Sequence, residues 1–488
     1  MRSRARLVAS ALQLAALAAL AACTALPTRP SSGAIEGVAA EVAPVSTKAL
    51  SPAYATESAR RKTAETVWQL VAERFYDPAM NGSDWTAARE RYVPRAAAAT
   101  SDAGFYRELK AMVGTLRDSH TQVLTPRETI DRRRFAAMRV GVLFAVIDGK
   151  VVIAEVDAGT PAAAAGIRAG DVVIALGRPD APTRLDAEFM RKALSDPATA
   201  GADTAAGESA RALPSDAALV ESQRVLRAVQ RLLRPLAASA EAPAKPMFFE
   251  LDRGEAQTVR VTVAPARVVR PPTAQLRWLE GDVAVIRFTR FATELRTELD
   301  QALDAAARAR AVIVDLRGNG GGLLSQYRWF AGQFFEQPAP TMRELRRDRN
   351  DAGVQRETEM RLGPGGNRTR GPLTQPLAVL VDPRTASAAE LTAVTLREQR
   401  GAILVGEPTC GCVVAVPNEH VLPDGGGLRI SETGFRSMRG ARMEGEPTEP
   451  AVRVTPTLAD LRAGRDVVLD TAHRRVLDRA RGASAAVP

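Results

Sequence analysis

The sequence predicts a multidomain α/β and β protein: a helical region, then a β domain with a helical insert, then an α/β domain. Three observations carry this. The chain has 488 residues, too many for one core and enough for two to four domains. Its apolar spacing is helical over 61–126, becomes short β-rich runs from 138, and alternates strand and helix from 272. Turn signals, Asp148-Gly149 and Gly166 to Asp171, punctuate the middle stretch as hairpins require. Hydrophobic residues make up 45% and charged residues 25%, as in ordinary soluble globular proteins.

Taken in order, residues 1–22 open with three arginines, continue as an apolar run and end in small residues, which reads as a secretory signal. Leu20-Ala21-Ala22-Cys23 resembles the bacterial lipoprotein cleavage box, which implies lipid on Cys23. Thr24 after it favours the outer over the inner membrane. The expected location is therefore the cell envelope, facing the periplasm, with residues 23–60, rich in Pro, Ser, Ala and Thr, as a tether.

In the helical region 61–126, Trp68, Leu70, Val71 and Phe75 share a helical spacing. Pro78 ends that helix and Asp84 caps the next. The β domain is expected over 136–267 with an insert at 195–245. The insert holds an amphipathic stretch, 217–236, whose Val225, Leu226, Val229, Leu232 and Leu233 form one face. It reads as a helix packed on its own domain, or as a lid or membrane-surface helix. The α/β domain is expected over 272–475, with 476–488 as a tail. Its strands are 282–288, 311–316 and 376–382.

The net charge of +10 comes from arginines spread along the chain. Without a zinc knuckle, an aromatic RNA-binding motif or a dense basic arm, it does not point to nucleic acid. It fits diffuse attraction to an anionic envelope. The cysteines are three, Cys23, Cys410 and Cys412, too few for a disulfide framework and without partners for a zinc site. No metal or organic cofactor is expected.

Two local patterns could carry chemistry. Residues 318–322, Gly-Asn-Gly-Gly-Gly, follow a buried strand and expose backbone N–H groups that could hold an oxyanion. They could equally be a tight structural turn; a phosphate loop and a dinucleotide loop are excluded, because Leu323 stands where either would need a different residue. Ser387 opens a helix directly after another buried strand, with Glu390 three residues on. That is a capping box and also suits a nucleophile, since a helix N-terminus favours developing negative charge.

These pieces, in order, are "FYDP", "DW" and "LRDSH" before residue 121, then "VIVDLRGNGGG", "VLVDPRTASAAE", "AILVGEPTCG" and "PTEPAVRVTPTLADLRAGRD". Together they closely resemble the C-terminal processing (tail-specific) proteases and the related tricorn protease core, over roughly 62–475. The resemblance implies a PDZ-like β domain and a crotonase-like or ClpP-like catalytic domain. Gly141, Val142, Leu143 and Phe144 match the loop that receives a peptide C-terminus beside an open strand edge. Ser387 falls on the nucleophile, and the oxyanion hole falls on Gly320 or Gly321 with the Ala388 amide.

The lysine base of the processing-protease branch is replaced by Cys412, and no lysine follows Lys245. The tricorn-type branch uses a histidine, and Ser119-His120 matches its Ser-His. Glu449 in "PTEP" matches its acid. The implied tetrad is Ser387, His120, Ser119 and Glu449, with Glu390 and Thr409 in support. His420 competes as base, His473 reads as a surface residue, and Glu398 either matches a helix acid of the lysine-type branch or is a surface charge. Cys410 and Cys412 could form a Cys-Gly-Cys disulfide, or Cys412 could be a small buried residue. The expected function is a lipid-anchored serine endopeptidase taking polypeptides. The alternatives are a catalytically inactive, peptide-binding pseudoprotease, or a hydrolase of non-peptide acyl bonds.

Overall fold

The computed structural model describes residues 51–195, 217–233, 245–348, 350–351, 353–364 and 370–485. The expected signal segment, Cys23 and most of the tether lie outside these residues. No helix among the described residues is long and apolar enough to cross a membrane.

The N-terminal region is three helices, α1 (Glu57–Arg74), α2 (Trp85–Ala97) and α3 (Asp102–Gly114). Each starts at a capping side chain that takes up an otherwise orphaned amide: Thr56 accepts from Ala59, Asp84 from Ala87, and Ser101 from Gly104. Phe75, Phe105, Leu109 and Met112 are fully buried between them. The same cluster takes in Leu345, Val414, Leu428 and Ile430 from the C-terminal lobe. A short strand, Gln122–Leu124, then pairs antiparallel with Gly427–Arg429, in register Gln122 to Arg429. These contacts clamp the segment just ahead of that strand, with Ser119 and His120, onto the far lobe.

The β domain is a sheet of β1 (Val142–Ile147), β2 (Lys150–Val156), β3 (Val172–Arg178), β4 (Ala181–Arg184), β5 (Met247–Asp252) and β6 (Thr258–Val263). The order is β1-β2-β3-β5-β6, with β4 also on β3, so among the described residues β1 has a strand on one side only. Between β4 and β5 lie α4 (Ala187–Ser195) and α5 (Ala217–Leu233). The insert helix α5 packs against α4 and β1. Its Val225 and Val229 are buried in one cluster with Val142, Phe144, Phe189 and Met190. The strand expected to offer an open edge therefore has the insert helix packed against it.

The C-terminal lobe is built on a six-stranded sheet whose spatial order follows the chain: β7 (Ala274–Leu279), β8 (Val283–Phe288), β9 (Ala311–Asp315), β10 (Leu377–Val381), β11 (Ile403–Gly406) and β12 (Val452–Arg453). β7 runs antiparallel to β8, and the rest are parallel. Every residue of β9, β10 and β11 is buried, as a parallel sheet covered on both faces requires. Helices α6 (Arg296–Ala306), α7 (Leu324–Gly332) and α8 (Ala388–Arg400) share the core on one side. Val468, Leu469, Ala472 and Val476 of α9 (Val467–Ala485) cover the other. The glycine turn leaves the C-terminal end of β9 and the Ser387 turn leaves that of β10. Neighbouring parallel strands thus bring the two loops together.

Candidate active site

Ser387 is the residue before α8, and its backbone has φ 56° and ψ −122°. A non-glycine residue there is strained, and the turn is held by several bonds. The Ser387 amide donates to the Cys412 carbonyl at 3.0 Å and lies 3.2 Å from Glu390 Oε2. The Ala386 amide donates to the Asn319 carbonyl at 3.0 Å. Thr385 Oγ1 donates to the Leu316 carbonyl at 2.9 Å.

The glycine turn sits against this elbow. Gly321 has φ +83°, and a Cβ there would stand 2.7 Å from Ser387 Cβ and 2.8 Å from the Ala388 amide. Only glycine fits. The Gly321 amide is spent on Asn319 Oδ1, at 2.9 Å. The Gly320 and Ala388 amides have no internal hydrogen-bond partner among the described residues. Of the two expected glycines, Gly320 therefore has the spare N–H, and Gly321 has the close packing.

Glu390 is fully buried. It accepts from the amides of Gly411 (2.8 Å) and Cys412 (2.9 Å) and from the Thr409 hydroxyl. It therefore ties the elbow to loop 409–413. Burial outweighs these bonds and raises its pKa to about 7. Cys410 and Cys412 are joined by a disulfide and are half-buried. Cys412 is therefore neither a free thiol nor a small buried residue.

On the other wall, Ser119 Oγ lies 2.5 Å from His120 Nδ1 and donates to Glu444 Oε2 at 3.0 Å. Glu444 also accepts from the Ser119 amide at 2.8 Å and the Val413 amide at 2.7 Å. A hydroxyl has one proton. If Ser119 gives it to Glu444, His120 must carry its proton on Nδ1, which leaves Nε2 as the basic nitrogen. Burial, seconded by the Arg429 charge, lowers the His120 pKa to about 4, so the ring is neutral near pH 7. Glu444 is 6% exposed, and burial raises its pKa.

Glu444 thus stands where Glu449 was expected. Glu449 is on the surface, its side chain 52% exposed and 3.5 Å from Arg453, with no bond to Ser119 or His120. Three glutamates lie within 444–449, and local sequence does not say which one the loops will bury. Sequence reading also missed Asp118, which accepts from the His120 and Thr121 amides and from Ser431 Oγ and so fixes the turn that presents the histidine. Of the other histidines, His420 lies 3.8 Å from Glu432 and His473 bonds the Glu280 carbonyl. Glu398 is no surface charge: its side chain is 2% exposed and accepts from the Met438 amide. Gly141 of the expected peptide loop has φ +93°, and a Cβ there would collide with Thr160. Among the described residues no three His, Cys, Asp or Glu side chains gather as a metal site.

The structure thus brings Ser387, Gly320, Ala388, Glu390 and Thr409 together. It joins Ser119 and His120 to this group through Glu444 and Val413. No hydrogen bond links Ser387 Oγ to the His120 ring among the described residues.

Comparison with known proteins gives this arrangement a context. Residues 282–454 match the model of peptidase family S41, and residues 60–114 match the tricorn protease C1 domain. A carboxyl-terminal-processing protease of Picosynechococcus is 26% identical over 376 residues, 75% of this chain and 76% of that one. Carboxyl-terminal-processing peptidase 2 (chloroplastic) of Arabidopsis thaliana is 25% identical over 75% of this chain and 63% of its own. Among solved structures, mature CPAF complexed with lactacystin has a similar fold. It covers 86% of this chain and 97% of its own, with a TM-score of 0.57 at 13% identity.

Proposed function

We propose, from the premise that residues 282–454 are a peptidase family S41 domain and residues 60–114 a tricorn protease C1 domain, that the protein is a serine endopeptidase with a histidine base. Ser387 attacks the scissile carbonyl, and His120 Nε2 takes its proton and returns it to the leaving amine. Ser119 and Glu444 hold the Nδ1–H tautomer and stabilise the imidazolium. The Gly320 and Ala388 amides receive the oxyanion. The β domain, in its PDZ-like reading, takes the polypeptide, and lipid on Cys23 holds the enzyme at the envelope membrane, facing the periplasm.

One observation carries the reading: the unbroken chain Glu444–Ser119–His120, whose acid is also bonded to the loop that accepts the Ser387 amide. Catalysis on this reading needs the His120 ring within about 3 Å of Ser387 Oγ, a contact that substrate binding would have to complete. Its absence here favours a second reading, a peptide-binding pseudoprotease. Cleavage of a peptide panel, paired with labelling by a fluorophosphonate probe, separates the two. Wild type should be labelled and should cleave, with both lost in Ser387→Ala and His120→Ala, a drop of at least about 10³-fold. Peptide binding without labelling would leave the pseudoprotease.

A further inference from the structure

Loop 409–413 bonds to both walls of the site. The Thr409 hydroxyl and the Gly411 and Cys412 amides are all bonded to Glu390. The Cys410 amide donates to the Thr385 carbonyl at 3.0 Å, and the Cys412 carbonyl accepts from Ser387. The Val413 amide donates to Glu444. Three consecutive amides therefore serve two buried carboxylates, one behind the proposed nucleophile and one behind the proposed base. This requires a sharp reversal, and Gly411 makes it at φ +68°. A glycine in that region is also the residue most free to leave it.

The disulfide closes around this glycine. It spans one residue, so it removes less chain entropy from the unfolded state than a bridge over any longer loop; as a staple for the fold it is poorly sited. As a clamp on the Gly411 reversal it is well sited, and both of its cysteines are half-buried rather than sealed in the core.

We infer that Cys410–Cys412 is a reversible thiol–disulfide site that sets whether loop 409–413 and the Ser387 turn it supports are assembled. Its reaction partner is a dithiol reductant. One thiolate of the reductant attacks a cysteine sulfur, and the S–S bond breaks. The other cysteine leaves as a thiolate and takes a proton. The second thiol of the reductant then closes its own disulfide and frees the second cysteine. Two electrons pass from the reductant to the loop, and two thiols appear where the bridge was. With the bridge open, Gly411 is released, and the amides aimed at Glu390 and Glu444 lose their common direction. The Ser387 amide loses its Cys412 acceptor.

This rests on the serine-peptidase reading for its effect on activity but not for its effect on structure, so two measurements are made on one wild-type sample titrated with dithiothreitol. The first is fluorophosphonate labelling of Ser387, plotted against cysteine alkylation by mass. The second is amide hydrogen exchange in the peptides spanning 387–390 and 409–413. The expected result is labelling at least tenfold slower when reduced, with the same midpoint as alkylation and recovery on reoxidation. Exchange at both peptides should rise in step. The Cys410→Ser/Cys412→Ser double variant should match the reduced wild type and ignore reductant. Unchanged exchange through complete reduction overturns the switch, whatever the labelling does. If the oxidised protein is never labelled but its exchange responds, the switch stands and the peptidase reading falls.

Discussion

The two six-stranded sheets among the described residues treat their strands differently. In the C-terminal lobe, β9, β10 and β11 are buried at every position. In the β domain, β6 alternates between exposed and covered positions, and β1 is half-buried along most of its length. A parallel sheet enclosed by helices cannot move one strand end without disturbing its neighbours. It can therefore hold two loops, one from β9 and one from β10, in the strained contact that puts Gly321 against Ser387. The β domain meets this rigid lobe partly through arginines: Arg384 pairs with Glu155 and Asp382, and Arg462 reaches the Gly170 and Asp252 carbonyls. On the proposed function, the lobe with the fixed core is the one that makes and breaks bonds. The β-domain sheet keeps its exposed positions mainly on its edge strands and meets the lobe both through these arginines and through Leu458 and Leu461 packed against Ile147, Val152 and Val172; on the proposed function it is the part that handles substrate.

The largest effect that would sharpen this contrast is within the rigid lobe. Glu444→Gln keeps the shape but removes the carboxyl group that orients Ser119 and His120. It should lower kcat/KM by about 10²–10⁴-fold. Glu449→Gln, on the surface five residues away, should stay within about twofold. Steady-state kinetics on the pair checks this, and equal losses would return the acid to Glu449.

Gly321→Ala comes next. The new methyl would meet the Ala386 carbonyl and Ser387 Cβ at 2.7 Å. Activity should fall more than about tenfold, with a stability loss of about 1–3 kcal/mol. A normal melting temperature and normal turnover would mean that the two loops are not held as described.

How much of this was readable beforehand follows from the same contrast. Ser387 and the glycine turn were legible because each lies within one short motif, where strand, turn and helix signals are local. That the insert is a helix was legible from its apolar face, but not that Val225 and Val229 would pack with Val142 and Phe144, since that depends on residues about 80 positions away. Glu444 was hidden for the same reason. It, Glu446 and Glu449 have similar neighbours in sequence, and only the meeting of loop 409–413 with Ser119 selects one for burial. The Cys-Gly-Cys bridge stood as one of two alternatives, decided only when the loop folded back.

Acid and alkali should probe the two buried carboxylate neighbourhoods in opposite directions. His120 has its folded pKa lowered to about 4. The unfolded chain therefore takes a proton first, and stability falls as pH drops from about 6.5 toward 4. Glu390 has its folded pKa raised from 4.5 to about 7. The unfolded chain therefore loses its proton first, and stability falls as pH rises between those values. Denaturant titrations across pH 4–8 should show Glu390→Gln removing the second slope and keeping the first. If the variant tracks wild type throughout, Glu390 is not the group that titrates.

The smallest effect is expected where the two lobes touch. Arg384 is three residues before Ser387, and its guanidinium bonds both Asp382 and Glu155 of β2. The Arg384 and Glu155 side chains are 33% and 40% exposed, so solvent screens the pair and its worth is small. Glu155→Ala should change kcat/KM by about two- to fivefold at most, through KM if the β domain only delivers substrate. Arg384→Ala should cost more, because it also strips the Asp382 contact from the turn leading to Ser387. A double-mutant cycle isolates the shared part. A coupling that appears in kcat rather than KM would show that the β domain reaches into the elbow itself, and the division between a rigid chemical lobe and a substrate-handling domain would have to be withdrawn.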